Sequence, residues 1–198
     1  MVDNFEQIKS LLKFDNENEF YFLQIIQRKK DHKDSNFKLG ISNNNRLIKA
    51  YYIFEVEQID KYKTEIITLC ETFNARAGIC LNRRNSRKLS LEMMKLLADN
   101  ISNNHFNQLG GLWNTVCGQY NHDTDKNLII DIDDKNYDDY ELLKFINNQQ
   151  PVGKKLVSTI ESKNGFHLIV KPFDLRTFSE LFPLFEIHKN NPTILYIP

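Results

Sequence analysis

Apolar positions along the chain switch between a helical and a strand-like spacing, and the switches mark out its elements. Phe5, Ile8, Leu11 and Leu12 recur at helical spacing behind Asp3 or Asn4, either of which can cap a first helix. Phe20 to Ile26 is an aromatic-rich run of strand length, and Leu47 to Val56, rich in Tyr and Ile, is a second strand. The stretch between them, 29–45, is charged and Asn-rich and reads as a hairpin-like excursion or loop. Ile59, Tyr62, Ile66, Leu69, Cys70 and Phe73 share one face of a helix. A short strand is expected at Arg76 to Leu81. A helix capped by Ser86 follows, with Leu89, Met93, Met94, Leu97 and Ile101 as its buried stripe. His105 to Tyr120 holds Gly110-Gly111 and Trp113, and is read as a helix started on the glycines.

The pattern continues with Leu128-Ile129-Ile130, a buried strand that runs into acidic residues, and a helix marked by Tyr137, Leu142, Leu143, Phe145 and Ile146. Leu156 to Glu161 and Phe166 to Lys171 are two strands around Asn164-Gly165, a strong short-range hairpin signal. A short helix from Leu175 to Leu181 and a strand from Thr193 to Ile197 complete the series. Helices interleaved with a clear hairpin predict an α+β fold: a mixed or mostly antiparallel sheet with packed helices, not a doubly wound parallel sheet. A length of 198 residues fits a single domain. It divides on this reading into an N-terminal α/β module, 1–74, and a second module, 75–198.

Charge narrows the function classes. Lys+Arg is 26 and Asp+Glu is 26, which excludes a polybasic protein gripping nucleic acid with its whole surface but leaves room for a local basic patch. No apolar run approaches the roughly 18 residues of a membrane span, and the first residues lack the features of a signal peptide. Cys70, Cys80 and Cys117 form no close pair, which argues against a disulfide framework or a cysteine zinc site. A cytoplasmic protein is expected, without membrane partners. Abundant Asn and Lys with sparse Gly, Pro and Ala fits AT-rich coding DNA, as in many phages, so the expected place is the host cytoplasm if the chain is phage-encoded.

The sharpest chemical feature is Asp131-Ile132-Asp133 at the end of a strand. Alternation puts both carboxylates on one face about 7 Å apart, where a cation between them relieves their repulsion. Hard oxygen donors of this kind suit Mg²⁺ or Mn²⁺ with phosphate oxygens completing the shell; the bland alternative is an acidic surface turn. The second feature is His167, just past the Gly165 turn, where a ring and nearby backbone N–H groups can meet phosphate. Ser162 and Lys163 in the same turn, and Lys171 beyond the strand, are further candidate phosphate contacts. The third is basic: Arg76, then Arg83, Arg84, Arg87 and Lys88 around a strand-to-helix junction, a candidate contact for a nucleic-acid backbone or a triphosphate. A solvated loop is the alternative there.

Asp131-Ile132-Asp133 followed by Gly165-Phe166-His167 resembles the first two motifs of the archaeo-eukaryotic primase, or primase-polymerase, superfamily, in order and in strand context. That family usually places a small hydroxyl residue two before the histidine; here the position is Gly165, with Ser162 further back. The resemblance spans roughly 75–197 and implies an RRM-like core and metal-dependent nucleotidyl transfer in DNA or RNA primer synthesis. It implies Asp131 and Asp133 as ligands of Mg²⁺ or Mn²⁺, and His167 on the triphosphate of the incoming nucleotide. A third carboxylate is sought after an apolar residue: Glu186, with Asp174 as the alternative. Partners implied are a nucleoside triphosphate, single-stranded DNA or RNA, and replication proteins. Two other readings stand beside it: a catalytically degenerate member that binds nucleic acid or a partner protein, and a metal-dependent nuclease or phosphoesterase using the same residues.

Overall fold

The computed structural model describes residues 1–28, 45–119 and 125–198. The first half runs β1 (Val2–Asp3), α1 (Phe5–Leu11), β2 (Glu19–Gln27), β3 (Arg46–Ile53), α2 (Glu57–Phe73), β4 (Arg76–Asn85) and α3 (Ser86–Ser102). A 3₁₀ turn at Phe106–Gly111 leads into α4 (Leu112–Gln119). The rest is β5 (Leu128–Ile132), α5 (Tyr140–Asn148), β6 (Leu156–Glu161), β7 (Phe166–Val170), α6 (Phe178–Leu181), β8 (Glu186–His188) and β9 (Thr193–Ile197). The strands form two antiparallel sheets, one in the order β1-β9-β4-β2-β3 and one in the order β6-β7-β5-β8. The fold is α+β, as the interleaved pattern predicts.

The near-continuous apolar run of β2 has a simple cause: both faces of the first sheet are covered. Tyr21, Leu23 and Ile25 pack with Phe5 and Ile8 of α1 and with Ile59, Ile66 and Cys70 of α2. Phe20 and Phe22 turn the other way, onto Leu89 of α3 and Val116 and Cys117 of α4. Each face of the second sheet also has its own partner. Leu128, Ile130 and Ile132 meet Leu142 and Ile146 of α5 and Phe178 of α6. Ile129, Ile160 and Ile169 join the core of the first sheet beside Leu195 and Ile79. Asp131 and His167 alternate in step with Ile129 and Ile169, so both belong to the face turned towards the first sheet.

Several boundaries differ from the sequence reading. The strand expected at Arg76 to Leu81 continues to Asn85, because Phe20 and Glu19 of β2 still pair with Arg84 and Asn85. Asn85, not Ser86, caps α3, its side-chain oxygen accepting the Lys88 N–H at 3.1 Å. Of the stripe expected to be buried on α3, Leu89 is, whereas Met94 and Ile101 lie on the solvent side. The division expected at 74/75 does not follow the sheets. β4 and β9 sit inside the first sheet, and the second sheet takes only strands from β5 to β8. The expected adjacency of β6, β7 and β5 is found. Most of the excursion expected over 29–45 lies outside the described residues. Among the described residues no helix is long and apolar enough to cross a membrane.

Candidate functional site

β5 lies between β7 and β8, and its register sets one row of side chains across three strands. Asp131 stands opposite His167 on one side and Glu186 on the other. His167 Nε2 lies 3.4 Å from Asp131 Oδ1. Its Nδ1 lies 2.9 Å from Oγ1 of Thr193, a fully buried residue of β9 in the other sheet. The hydrogen bond from His167 holds the half-buried Asp131 carboxyl below its usual range against the opposing effect of burial, and the charges of His167, His188 and Arg28 act in the same direction. Glu186 is exposed and reaches His188, two residues on along β8, at 3.5 Å. Three residues drawn from separate sequence motifs thus become neighbours.

The turn ahead of His167 is set by two contacts. Ser162 N–H donates to the Gly165 carbonyl at 2.9 Å, and Gly165 N–H donates to Ser162 Oγ at 3.2 Å. Gly165 presses on the end of β5 so closely that a Cβ there would fall 1.8 Å from the Ile132 carbonyl oxygen. Asp133 follows directly, just past the strand end at Ile132, and is exposed. Lys163 is exposed at the turn, and Lys171 is exposed past the end of β7. Among the described residues no three His, Cys, Asp or Glu side chains stand close enough to hold a metal ion. Asp131, Asp133 and Glu186 carry carboxylate oxygens, the donor type that Mg²⁺ or Mn²⁺ takes, and Asp133 and Glu186 are exposed.

The two candidates for a third carboxylate separate cleanly. Glu186 is in register with Asp131. Asp174 lies in the segment between β7 and α6, where Arg176 takes up both its oxygens, with Nε at 3.0 and 2.9 Å. That guanidinium holds the Asp174 carboxyl down at about 2.

The basic cluster divides, and half of it is internal. Arg84 is fully buried and donates to the carbonyls of Cys117 and Asn82 and to Asn190 Oδ1. The Arg83 side chain is 8% exposed and pairs with Asp15 at 2.6 Å, Glu19 at 2.9 Å and Asp125 at 2.5 Å. These two residues are therefore not a surface patch. The longer β4 carries them inward, where three carboxylates meet Arg83, and the Cys117 carbonyl and Asn190 side chain from distant segments join the nearby Asn82 carbonyl around Arg84. Arg87 and Lys88 are exposed in the first turn of α3, while Arg76 is half-buried at the opposite end of β4. That strand is about 30 Å long, so Arg76 and the α3 pair do not form one site.

Thr193, His188 and Arg28 belong to the surroundings of the row, and the sequence reading did not single them out for it. Only the alternation Glu186-Ile187-His188 was a local signal; Thr193 has none. Cys70, Cys80 and Cys117 are buried free thiols, as small apolar residues would be, and burial raises the ionisation range of each. Comparison with family models, with curated proteins and with solved structures finds no match to this chain.

Proposed function

We propose that the chain is a primase-polymerase-like protein that binds a nucleoside triphosphate at the Asp131–His167–Glu186 row, beside single-stranded nucleic acid, and carries out metal-dependent nucleotidyl transfer. The observation that carries this reading is the register of β5, which brings His167 and Glu186 to either side of Asp131. The connection β5-α5-β6-β7-α6-β8, with spatial order β6-β7-β5-β8, supports an RRM-like core for the second sheet. In the reaction a 3′-hydroxyl oxygen bonds to the α-phosphorus while the bond to the β-phosphate breaks and pyrophosphate leaves. Mg²⁺ or Mn²⁺ held by Asp131 and Asp133, with Glu186, would neutralise the phosphates and acidify the attacking hydroxyl. His167 contributes a ring N–H to a phosphate oxygen, and Lys163 at the turn adds positive charge.

Incubation with labelled nucleoside triphosphates, Mn²⁺ and a single-stranded template tests the reading. Wild type is expected to extend a chain, and Asp131→Asn, which keeps the side-chain shape, to fall to background. His167→Ala is expected mainly to weaken nucleotide binding. Strand cleavage in place of extension would mark a nuclease, and retention without turnover a binding module. A wild-type protein that neither turns over nor retains nucleotide refutes the proposal.

A further inference from the structure

His167 has a polar neighbour at each ring nitrogen, and the two neighbours come from different sheets. Nδ1 meets Thr193 Oγ1 at 2.9 Å on β9, and Nε2 meets Asp131 Oδ1 at 3.4 Å on β5. Thr193 is 0% exposed and His167 9%, so solvent does not stand in for the hydroxyl. A neutral imidazole carries one N–H, and a hydroxyl donates or accepts, so this pair alone allows either tautomer. Asp131 breaks the tie. With the proton on Nδ1, the Nε2 lone pair would face a carboxylate oxygen. With the proton on Nε2, the ring donates towards that oxygen and the Thr193 hydroxyl donates to Nδ1. Valine has the same branched shape and suits a buried strand equally well, so packing gives no reason for the hydroxyl.

We propose that Asp131 sets the Nε2–H tautomer of His167 and that Thr193, donating to Nδ1, is a positioning residue that keeps the ring turned so, with its N–H, not a lone pair, shared between Asp131 and an anion arriving beside it. The identity of that anion, a nucleotide triphosphate, rests on the function proposed above; the tautomer does not. Thr193 has no exposed surface and touches no substrate. It acts through the ring, by tying the β7 side chain to a strand of the other sheet. A phosphate oxygen accepts from Nε2–H directly, whereas an Nδ1–H ring would present it with a lone pair.

Long-range ¹H–¹⁵N spectra of histidine-labelled protein, recorded without ligand at a pH where the ring is neutral, read the tautomer. His167→Ala assigns the signal. Wild type is expected to show a protonated Nε2 and an unprotonated Nδ1. Thr193→Val, which leaves Nδ1 facing a methyl group, is expected to move the Nδ1 resonance towards that of a lone pair without a hydrogen bond, and Thr193→Ser to restore it. An Nδ1–H pattern in wild type overturns the proposal by itself, whether or not the valine variant folds. An unchanged Nδ1 resonance in a folded Thr193→Val also overturns it. Calorimetry with magnesium-ATP and with inorganic triphosphate reads the use of the donor. Thr193→Val is expected to bind each about tenfold more weakly, with serine rescue. Affinity equal to wild type overturns the donor role. The expected tautomer in a wild-type protein that binds neither ligand supports the positioning of His167 and refutes the triphosphate site.

Discussion

An alanine at position 165 puts a methyl group where the backbone of β5 already lies. Gly165 is not needed for a left-handed backbone, since the one positive-φ glycine among the described residues is Gly153. What matters is the missing Cβ. Built onto Gly165, it would stand 1.8 Å from the Ile132 carbonyl oxygen and 2.7 Å from the Asp134 amide nitrogen, against 3.4 Å for ordinary contact. Turn and strand end must therefore part by about 1.6 Å, the difference between 3.4 and 1.8 Å. Neither obstacle is a side chain that can rotate away. Overpacking that side chains absorb costs about 1–3 kcal/mol. Here the backbone has to move next to the Ile132–Phe166 pairing and the Ser162–Gly165 hydrogen bonds, so the expected loss is about 3 kcal/mol. With a urea slope of about 1–3 kcal/mol per molar, the unfolding midpoint falls by roughly 1–3 M. The site suffers as well. Asp133 sits between the two obstructing groups, and a functional constellation tolerates only about 0.5 Å of displacement. Urea denaturation followed by circular dichroism gives the stability, and nucleotide retention gives the site. Ser162→Ala, which removes only the acceptor of the Gly165 N–H, is the control and should cost about 1 kcal/mol. A Gly165→Ala protein within about 0.5 kcal/mol of wild type would refute the close approach of the turn to β5.

Arg84→Met is expected to destabilise by about 3–5 kcal/mol, with little dependence on salt, because the guanidinium is sealed among buried acceptors that would lose their donor. Arg87→Ala on the exposed first turn of α3 should stay within about 0.5 kcal/mol; similar urea midpoints for the two variants would show that the cluster is not divided as described. Asp174 is expected to titrate at about 2 by carboxyl NMR, and Arg176→Ala to return it towards the ordinary value of about 3.9. The folded-state value lies below the unfolded one, so any stability from this pair is fully present above about pH 4 and fades as pH falls towards about 2. A titration unaffected by Arg176→Ala would contradict the pairing.

Features written in neighbouring residues were legible without a structure. The helical spacing of Ile59, Ile66 and Cys70 defines α2, because that periodicity arises from local backbone geometry, and the apolar runs on either side of Asn164-Gly165 mark the β6–β7 hairpin, whose loop spans 162–165 without the left-handed residues of a tight Asn-Gly turn. Asp131 and His167 could be singled out for the same reason, each lying at a strand-and-turn signal. Other features depend on segments far apart in sequence. β8, at three residues, is too short to show a period, yet its pairing with β5 sets Glu186 beside Asp131. Arg83 and Arg84 look like surface cations until Asp15, Glu19, Asp125, Cys117 and Asn190 converge on them. Thr193 reads as an ordinary strand residue, and only the packing of β9 across β7 places its hydroxyl on His167. Sequence determined the longer helices and strands and where acidic and histidine side chains could gather. Tertiary structure decided which charges are buried and which carboxylate is adjacent, since burial and pairing depend on neighbours that the chain supplies from a distance.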